Sequence, residues 1–272
     1  MTRFNYIITI HNKESVLERT LAAVDRHGGP DSVIYPVLDG CTDGSERIVS
    51  EFVRNTSKKV VVTKTPDVHE IRSINAALRQ IDGGFTISLQ DDVVLDEPDF
   101  EKKVEDLYRR EGACLGLVSF CRAADLTLCP LYRRMLKTGF RPLLMECGLV
   151  KAKHDHCRKG TAVAYGTVVY KMVGIKSPIC IPESALGRLG ILDESLAPYL
   201  CDDHEYSIRC LKEGFRNALF PVHFISDVEW GGTRIDLDFV KRAESTRVRN
   251  LCYIWQKHGQ FLREYWKRGP KE

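Results

Sequence analysis

Three acidic stretches, far apart in the chain, carry side chains able to bind nucleotides, hold cations or move protons. The first is Leu38-Asp39-Gly40-Cys41-Thr42-Asp43-Gly44-Ser45, which follows a short apolar run. An acidic residue at the carboxyl end of a buried strand can accept hydrogen bonds from a ribose or a base edge, and Asp39 stands at that point. Asp43 has a plainer reading, because Asp-Gly doublets make turns and Asp43 with Glu46 resembles a helix capping box. The second stretch is Gln90-Asp91-Asp92. Adjacent carboxylates repel each other unless a cation or donors compensate them. Mg2+ or Mn2+ held by one or two carboxylates and diphosphate oxygens would do so, the alternative being a solvated acidic loop running on to Asp96, Glu97 and Asp99. The third is Asp202-Asp203-His204-Glu205. Asp202 as N-cap with Glu205 three residues later is again a capping-box arrangement, which leaves Asp203 in a first turn where the helix dipole favours an anion. A carboxylate held there and facing a crevice can act as general base.

Single residues add weaker signals. His11 follows the first apolar run and either lines a crevice or is an ordinary loop residue. Arg72 offers a fork of donors to a diphosphate, or a solvated helix face. His223 is read as a third metal ligand or as a core histidine. Trp230, before Gly231-Gly232-Thr233, suits stacking on a sugar face or plain packing. His154-Asp155-His156-Cys157 contains metal-ligand types, but no Cys-x-x-Cys spacing supports it, and an exposed basic loop is expected there.

The elements that must position these residues follow from periodicity. Apolar runs at Phe4–Ile10, Val33–Leu38, Val60–Val62, Phe85–Leu89 and Leu115–Phe120 read as strands. Between them, Val16, Leu17, Leu21 and Val24, then Ile48, Val49, Phe52 and Val53, then Ile71, Ile74, Leu78 and Ile81, then Phe100, Val104, Leu107 and Tyr108 recur at helical spacing. Strand and helix in alternation imply an α/β fold with a mainly parallel sheet flanked by helices, and such sheets bind ligands at the carboxyl ends of their strands. From about Arg122 to Gly160 the pattern degrades, and this segment is read as an insertion. Order returns at Val163–Tyr170, Ile179–Ile181 and a helix from Asp202 to about Lys212. The division expected is a main domain over 1–235, with a nucleotide-binding half at 1–121 and an acceptor half at 122–235, followed by one or two basic helices over 236–272. From Asp238 onward there are nine Lys/Arg against four Asp/Glu.

Composition narrows the class. The chain has 272 residues, 43% hydrophobic and 28% charged, which excludes disordered, collagenous and coiled-coil readings. A net charge of +3 does not ask for a nucleic-acid partner. No run of about 18 apolar residues exists to span a membrane. The start, Met1-Thr2-Arg3-Phe4-Asn5, lacks the layout of an export signal, so a cytoplasmic protein with its ten cysteines reduced and mostly buried is expected. The basic C-terminal segment, with Trp255, Phe261, Tyr265 and Trp266, either rests peripherally on an anionic membrane or packs on the domain with a solvated basic face.

The order of these signals resembles the family 2 glycosyltransferases, which have a GT-A fold. The stretches that carry the resemblance are Tyr6-Ile7-Ile8-Thr9-Ile10-His11-Asn12-Lys13-Glu14, Val37 to Ser45, Arg72-Ser73-Ile74-Asn75-Ala76-Ala77, Ile87-Ser88-Leu89-Gln90-Asp91-Asp92-Val93, and Leu189 to Glu194 leading into Asp202 to Arg209. It covers about Asn5 to Thr233. The resemblance implies an inverting, nucleotide-sugar-dependent transferase that needs Mn2+ or Mg2+ and serves polysaccharide, glycan or glycolipid synthesis. It places the strand exit from Thr9 to Glu14, with Thr9, His11 and Glu14, and Asp39, Arg72, Asn75, Gln90 and Asp91 at the nucleotide-sugar, Asp92 on the metal, Asp203 as base and Asp202 beside it at the acceptor. The single-residue readings add His223 to the metal and Trp230 to the acceptor. The acceptor would be a glycan, a lipid-linked sugar or a protein. Two departures from the family pattern stand out. Leu38 replaces a frequent Asp, so nucleotide contacts rest on Asp39, and Gln90 replaces the first metal-motif Asp, keeping hydrogen bonds but losing a charge. A nucleotidyltransferase is the rival enzyme class, although the first strand exit, His11-Asn12-Lys13-Glu14-Ser15, lacks the glycines that class usually has there. A binding module without activity is the other rival.

Overall fold

The computed structural model describes residues 2–128, 149–156, 161–176, 178–226 and 237–268. The first half alternates strand and helix as the periodicity predicts: β1 (Phe4–Ile10), α1 (Leu17–His27), β2 (Val33–Asp39), α2 (Ser45–Asn55), β3 (Lys59–Val60), β4 (Thr63–Thr65), α3 (His69–Leu78), β5 (Phe85–Gln90), β6 (Val93–Leu95), α4 (Phe100–Glu111) and β7 (Leu115–Ser119). The second half adds β8 (Arg122–Leu128), β9 (Leu149–His156), β10 (Thr161–Ala162), β11 (Val169–Lys171), β12 (Val173–Ile175), β13 (Ile179–Ile181), α5 (Glu183–Leu189), a 3-10 turn at Glu194–Leu196, α6 (Asp202–Lys212), β14 (Arg216–Leu219), β15 (Phe224–Ser226) and α7 (Leu237–Arg268).

The main sheet runs β11-β14-β7-β13-β5-β1-β2-β3, with β4 also paired to β2. Strands β1, β2 and β5 are mutually parallel, whereas β13 runs antiparallel between β5 and β7. Alternation along β1 divides the core. Tyr6, Ile8 and Ile10 face α1, α2 and α4 together with Leu21, Val49 and Val104. Ile7 faces the other side, where α3, α6 and α7 contribute Ile74, Ile208 and Leu262. Each such fully buried side chain stabilises the fold by about 1.5–3 kcal/mol.

Two expectations are corrected here. Val60–Val62 is not one strand, because the edge breaks into β3 and β4 opposite Tyr35 and Pro36 of β2. Proline has no N–H for the ladder, and the interruption falls at its position. The stretch 122–160, read as irregular, contains the antiparallel pair β8–β9, with a register shift between Asp125 and Leu126 that blurs the alternation. The His154–His156 stretch is therefore strand and not an exposed loop. Asp155 within it is buried and pairs with Lys171 Nζ at 3.0 Å. Cys129, Cys147, Cys157 and Trp230 lie outside the described residues. Of the described cysteines, Cys121, Cys180, Cys201 and Cys210 are buried, Cys41 and Cys252 are half-buried and Cys114 is exposed.

α7 is a single helix of 32 residues. Its Ile254, Trp255 and Leu262 are buried, and Phe261, Tyr265 and Trp266 pack against the same core. The aromatic side of this basic segment thus faces the domain. No described helix is long and apolar enough to cross a membrane.

Candidate active site

The parallel strands β1, β2 and β5 finish on one edge, and their exits carry the first two acidic stretches. Thr9 pairs with Gln90 on one side and Val37 on the other, so the ends of β2 and β5 flank the end of β1. Asp39 closes β2 and is 2% exposed. Its Oδ1 accepts hydrogen bonds from Thr65 Oγ1 and the Val68 N–H, both at 2.9 Å. Gly40 follows with φ +61°, where a Cβ would lie 2.8 Å from the Asp67 backbone nitrogen. Glycine alone turns the chain there without strain or clash.

The β1 exit is clasped to the β2 exit. The Asn12 side-chain oxygen accepts from the Thr42 N–H at 2.7 Å, Asp43 Oδ2 from the Glu14 N–H at 3.0 Å, and Glu14 Oε2 from the Gly44 N–H at 2.7 Å. Glu14 and Asp43 thereby set the shape of the two loops. The capping box expected of Asp43 and Glu46 is not formed: Gly44 caps α2, and Glu46 pairs with Lys64. His11 Nδ1 lies 2.7 Å from the Asp39 carbonyl oxygen. Its backbone N–H donates to Asp91 Oδ2 at 2.9 Å. Asp91 is thus turned inward. Burial drives its carboxyl up to about 7, against the His11 hydrogen bond and the Lys13 charge, with Asp92 adding to the rise. Asp92 points the other way, toward Lys13 Nζ at 3.4 Å.

The third stretch builds the opposite wall. Leu200 and Cys201 hold positive φ angles of 76° and 65° just before α6. Non-glycine residues in that region cost about 1–3 kcal/mol each, a strain typical of functional sites. Asn12, His69 and Asp99 share this conformation. Cys201, not Asp202, is the residue before the helix, and Glu205 turns away to Arg209, Lys257 and His258, so the capping box expected of Asp202 is absent.

Asp202 is 1% exposed and meets Lys176 Nζ at 2.6 Å. Burial pushes Asp202 up to about 6, opposed by Lys176 and reinforced by Asp203 and Glu70. Lys176 also meets Glu70 Oε2 at 3.1 Å. Burial disfavours its ammonium, but Asp202, Glu70 and Asp203 outweigh that and raise its pKa. Asp203 Oδ2 accepts from the Lys176 N–H at 3.0 Å, and its Oδ1 lies 2.5 Å from His204 Nδ1. Burial works against its charge, yet the interactions with His204 and Lys176 hold its carboxyl well below the usual range.

A cavity of about 370 Å³ lies between the β5 exit and the start of α6; Asp39, Asp91, Asp92 and Asp202 are not among the residues that line it. Gln90 from the β5 exit and Asp203 from α6 both line it, with Glu70, Lys176, His204 and Arg122. Gln90 Nε2 reaches Glu70 Oε1 at 3.4 Å, so contacts run from the β5 exit through Glu70 and Lys176 to Asp202 and Asp203.

Other candidates stand apart from this cavity. Asn75 is fully buried and exchanges hydrogen bonds with the Leu192 backbone at 2.9 Å each way, tying α3 to the loop before the 3-10 turn. Arg72 is 55% exposed beside Glu194. His223 is not brought to Asp92. β15 pairs Phe224 with Leu95 and Ser226 with Val93, so His223 sits beside Asp96, roughly 13 Å along the strand from Asp92. It is exposed and its ring stacks on Tyr165 at 3.8 Å, so it is not a core histidine.

The β5 exit supplies oxygen donors, the Asp92 carboxylate and the Gln90 amide. One carboxylate completed by diphosphate oxygens is how hard divalent cations are commonly held, so these residues fit Mg2+ or Mn2+. Among the described residues, His11, Asp39 and Asp67 also bring ligand atoms within 4.8 Å of one another. Glu70, Lys176 and Arg122 escape assignment from sequence, because their partners lie far along the chain, whereas Lys13 falls within the Thr9 to Glu14 exit that the family resemblance puts at the nucleotide pocket. His204 stands within the third stretch, and only its contact with Asp203 singles it out.

No curated protein matches the sequence. Solved structures share the fold. The mannosyltransferase PcManGT from Pyrobaculum calidifontis, in complex with GDP-Man and Mn2+, superposes with TM-score 0.54 at 17% identity over 81% of this chain and 55% of that one. S. aureus TarS superposes with TM-score 0.55 at 13% identity over 83% of this chain and 37% of that one. TarS 1-349 in complex with UDP-GlcNAc gives 0.54 at 12% identity over 90% and 65%. The chain therefore spans between 37% and 65% of the length of these structures. The strand exits, the Asp-Asp helix start and the GT-A neighbours agree with the sequence match of glycosyltransferase-like family 2 across residues 2–253, and the chain belongs to that family.

Proposed function

We propose that the chain transfers a sugar from a nucleoside-diphosphate sugar to an acceptor hydroxyl, with inversion at the anomeric carbon. The observation that carries this reading is the cavity shared by Gln90 and Asp203. The β5 exit and the α6 start, 113 positions apart, there face one volume of sugar size. The donors GDP-Man and UDP-GlcNAc bound by the structural neighbours support the donor class.

In this reading Asp39 and the β1 exit from Thr9 to Glu14 receive the nucleoside, and Gln90 hydrogen-bonds the ribose. Asp92 would hold a divalent cation together with donor oxygens, and the chemistry such a cation would supply there is neutralisation of charge on the departing diphosphate. The acceptor oxygen forms a bond to the anomeric carbon, and the bond to diphosphate breaks with its electron pair leaving on the nucleotide. Asp203 receives the acceptor proton. A carboxylate held this far down is a weak base, and it suffices when the proton moves late, once the attacking oxygen has become acidic. Positioning donor and acceptor in line supplies much of the remaining acceleration. Lys176 and His204 fix both Asp203 oxygens and so its direction. Arg122, which lines the cavity, belongs to the acceptor side, the acceptor being a glycan, a lipid-linked sugar or a protein. Asp202, buried against Lys176, supports that side from behind and does not line the cavity.

Asp203→Asn is expected to lower kcat by at least about 10²-fold while leaving UDP or GDP affinity within about twofold, because base catalysis acts only in the transition state. Steady-state kinetics and calorimetry read the two quantities. Unchanged kcat would remove Asp203 from the role.

A further inference from the structure

Lys13 is an unusual residue to find at its position. Its carbonyl accepts the Leu17 N–H at 3.0 Å, in the turn that leads into α1. Its own N–H donates to Ser45 Oγ at 3.0 Å, so the backbone is tied at both ends. The side chain is only 5% exposed, and its ammonium meets Asp92 Oδ2 at 3.4 Å. Burying an ammonium is costly unless it is paired, so Lys13, this little exposed, requires an anion close by. Asp91 is turned away onto the His11 N–H, and Asp92 faces Lys13.

Asp92 is also the carboxylate that fits a divalent cation. A dication on its Oδ2 and an ammonium 3.4 Å from the same oxygen repel each other strongly in a partly buried site. A diphosphate resolves this conflict by offering the ammonium new oxygens, and lysine serves phosphate as a point charge on a flexible stem. We propose that Lys13 neutralises Asp92 in the ligand-free chain and passes to the donor diphosphate when a divalent cation takes Asp92. This rests on the donor reading of the cleft. The exchange makes cation and donor binding mutually dependent: the cation is held poorly alone because Lys13 opposes it, and well with the diphosphate that draws Lys13 away.

The proposal predicts effects of opposite sign for one substitution. Lys13→Met keeps the apolar stem and removes the charge. In the full chain it is expected to bind Mn2+ alone about tenfold more tightly than wild type, read from the spin-resonance signal of free Mn2+. The same variant is expected to bind UDP or GDP, at saturating Mn2+, at least about tenfold more weakly by calorimetry. Lys13→Arg keeps the charge and should leave Mn2+ alone weakly bound. Adding Asp92→Asn to Lys13→Met should abolish the gain in Mn2+ affinity and so locate it on Asp92. Parallel losses of Mn2+ and nucleotide affinity, the mark of a structural role, would overturn the proposal, as would no change in either. If wild type binds neither UDP nor GDP with Mn2+, the donor reading falls. The Mn2+-only comparison would still decide whether Lys13 restrains Asp92.

Discussion

Lys176 is the residue on which the wall at the start of α6 depends. Its ammonium lies between Asp202 and Glu70, and its backbone N–H holds Asp203. Removing one member of a buried ionic cluster strands the other charges, which typically costs about 3–5 kcal/mol. Lys176→Met is therefore expected to lower unfolding free energy by that amount in urea titrations, and Lys176→Met with Asp202→Asn to recover part of it. Full additivity of the two changes would mean that the pair is not coupled. Of this cluster, Asp202 and Asp203 were legible in the sequence because they are adjacent at a helix start. Lys176 and Glu70 were not, since no periodicity links positions 70, 176 and 202.

At the scale of elements, Glu205 adds a polar tie between α6 and α7 to the apolar contacts they share. Glu205 Oε1 meets His258 Nε2 at 3.0 Å and Lys257 Nζ at 2.9 Å, while Oε2 meets Arg209 Nε at 2.8 Å. Burial raises the Glu205 pKa, but the hydrogen bond from His258 and the charges of Arg209 and Lys257 more than offset it and hold the group at about 2. The unfolded chain titrates this carboxyl near ~4.3. A depressed carboxylate stabilises the fold above the unfolded value and loses that contribution as pH falls through the folded one. Glu205→Gln is thus expected to cost about 3 kcal/mol at pH 7, with the deficit shrinking below pH ~4 and vanishing near pH ~2. Urea titrations of both proteins across this range check it, and a constant deficit would sink the assignment. The sequence suggested a different use for Glu205, as a capping partner of Asp202. That local rule lost to charges on another helix.

For the whole molecule, α7 acts as part of the domain. Trp255 is 7% exposed, its ring faces Trp266 at 6.4 Å, and the Arg263 guanidinium lies 4.7 Å from its centroid. Truncating a buried aromatic costs about 3–5 kcal/mol, so Trp255→Ala should lower the thermal midpoint by several degrees. An unchanged midpoint with weakened binding to anionic vesicles would instead assign the aromatic face to a membrane.

The amino-acid order by itself determined the strand–helix alternation of the first half and the positions of Asp39, Asp92 and Asp203 at element ends. Apolar spacing is a local property, and residues at strand ends inherit their place from it. Spacing carries neither strand direction nor long-range pairing. Only the tertiary structure decided that β13 runs antiparallel inside the sheet, that β8 and β9 pair across a segment that reads as irregular, and that Asp91 turns inward while Asp92 faces Lys13. It likewise separated Asn75 and His223 from the cavity, because a side chain's role depends on which distant backbone it meets.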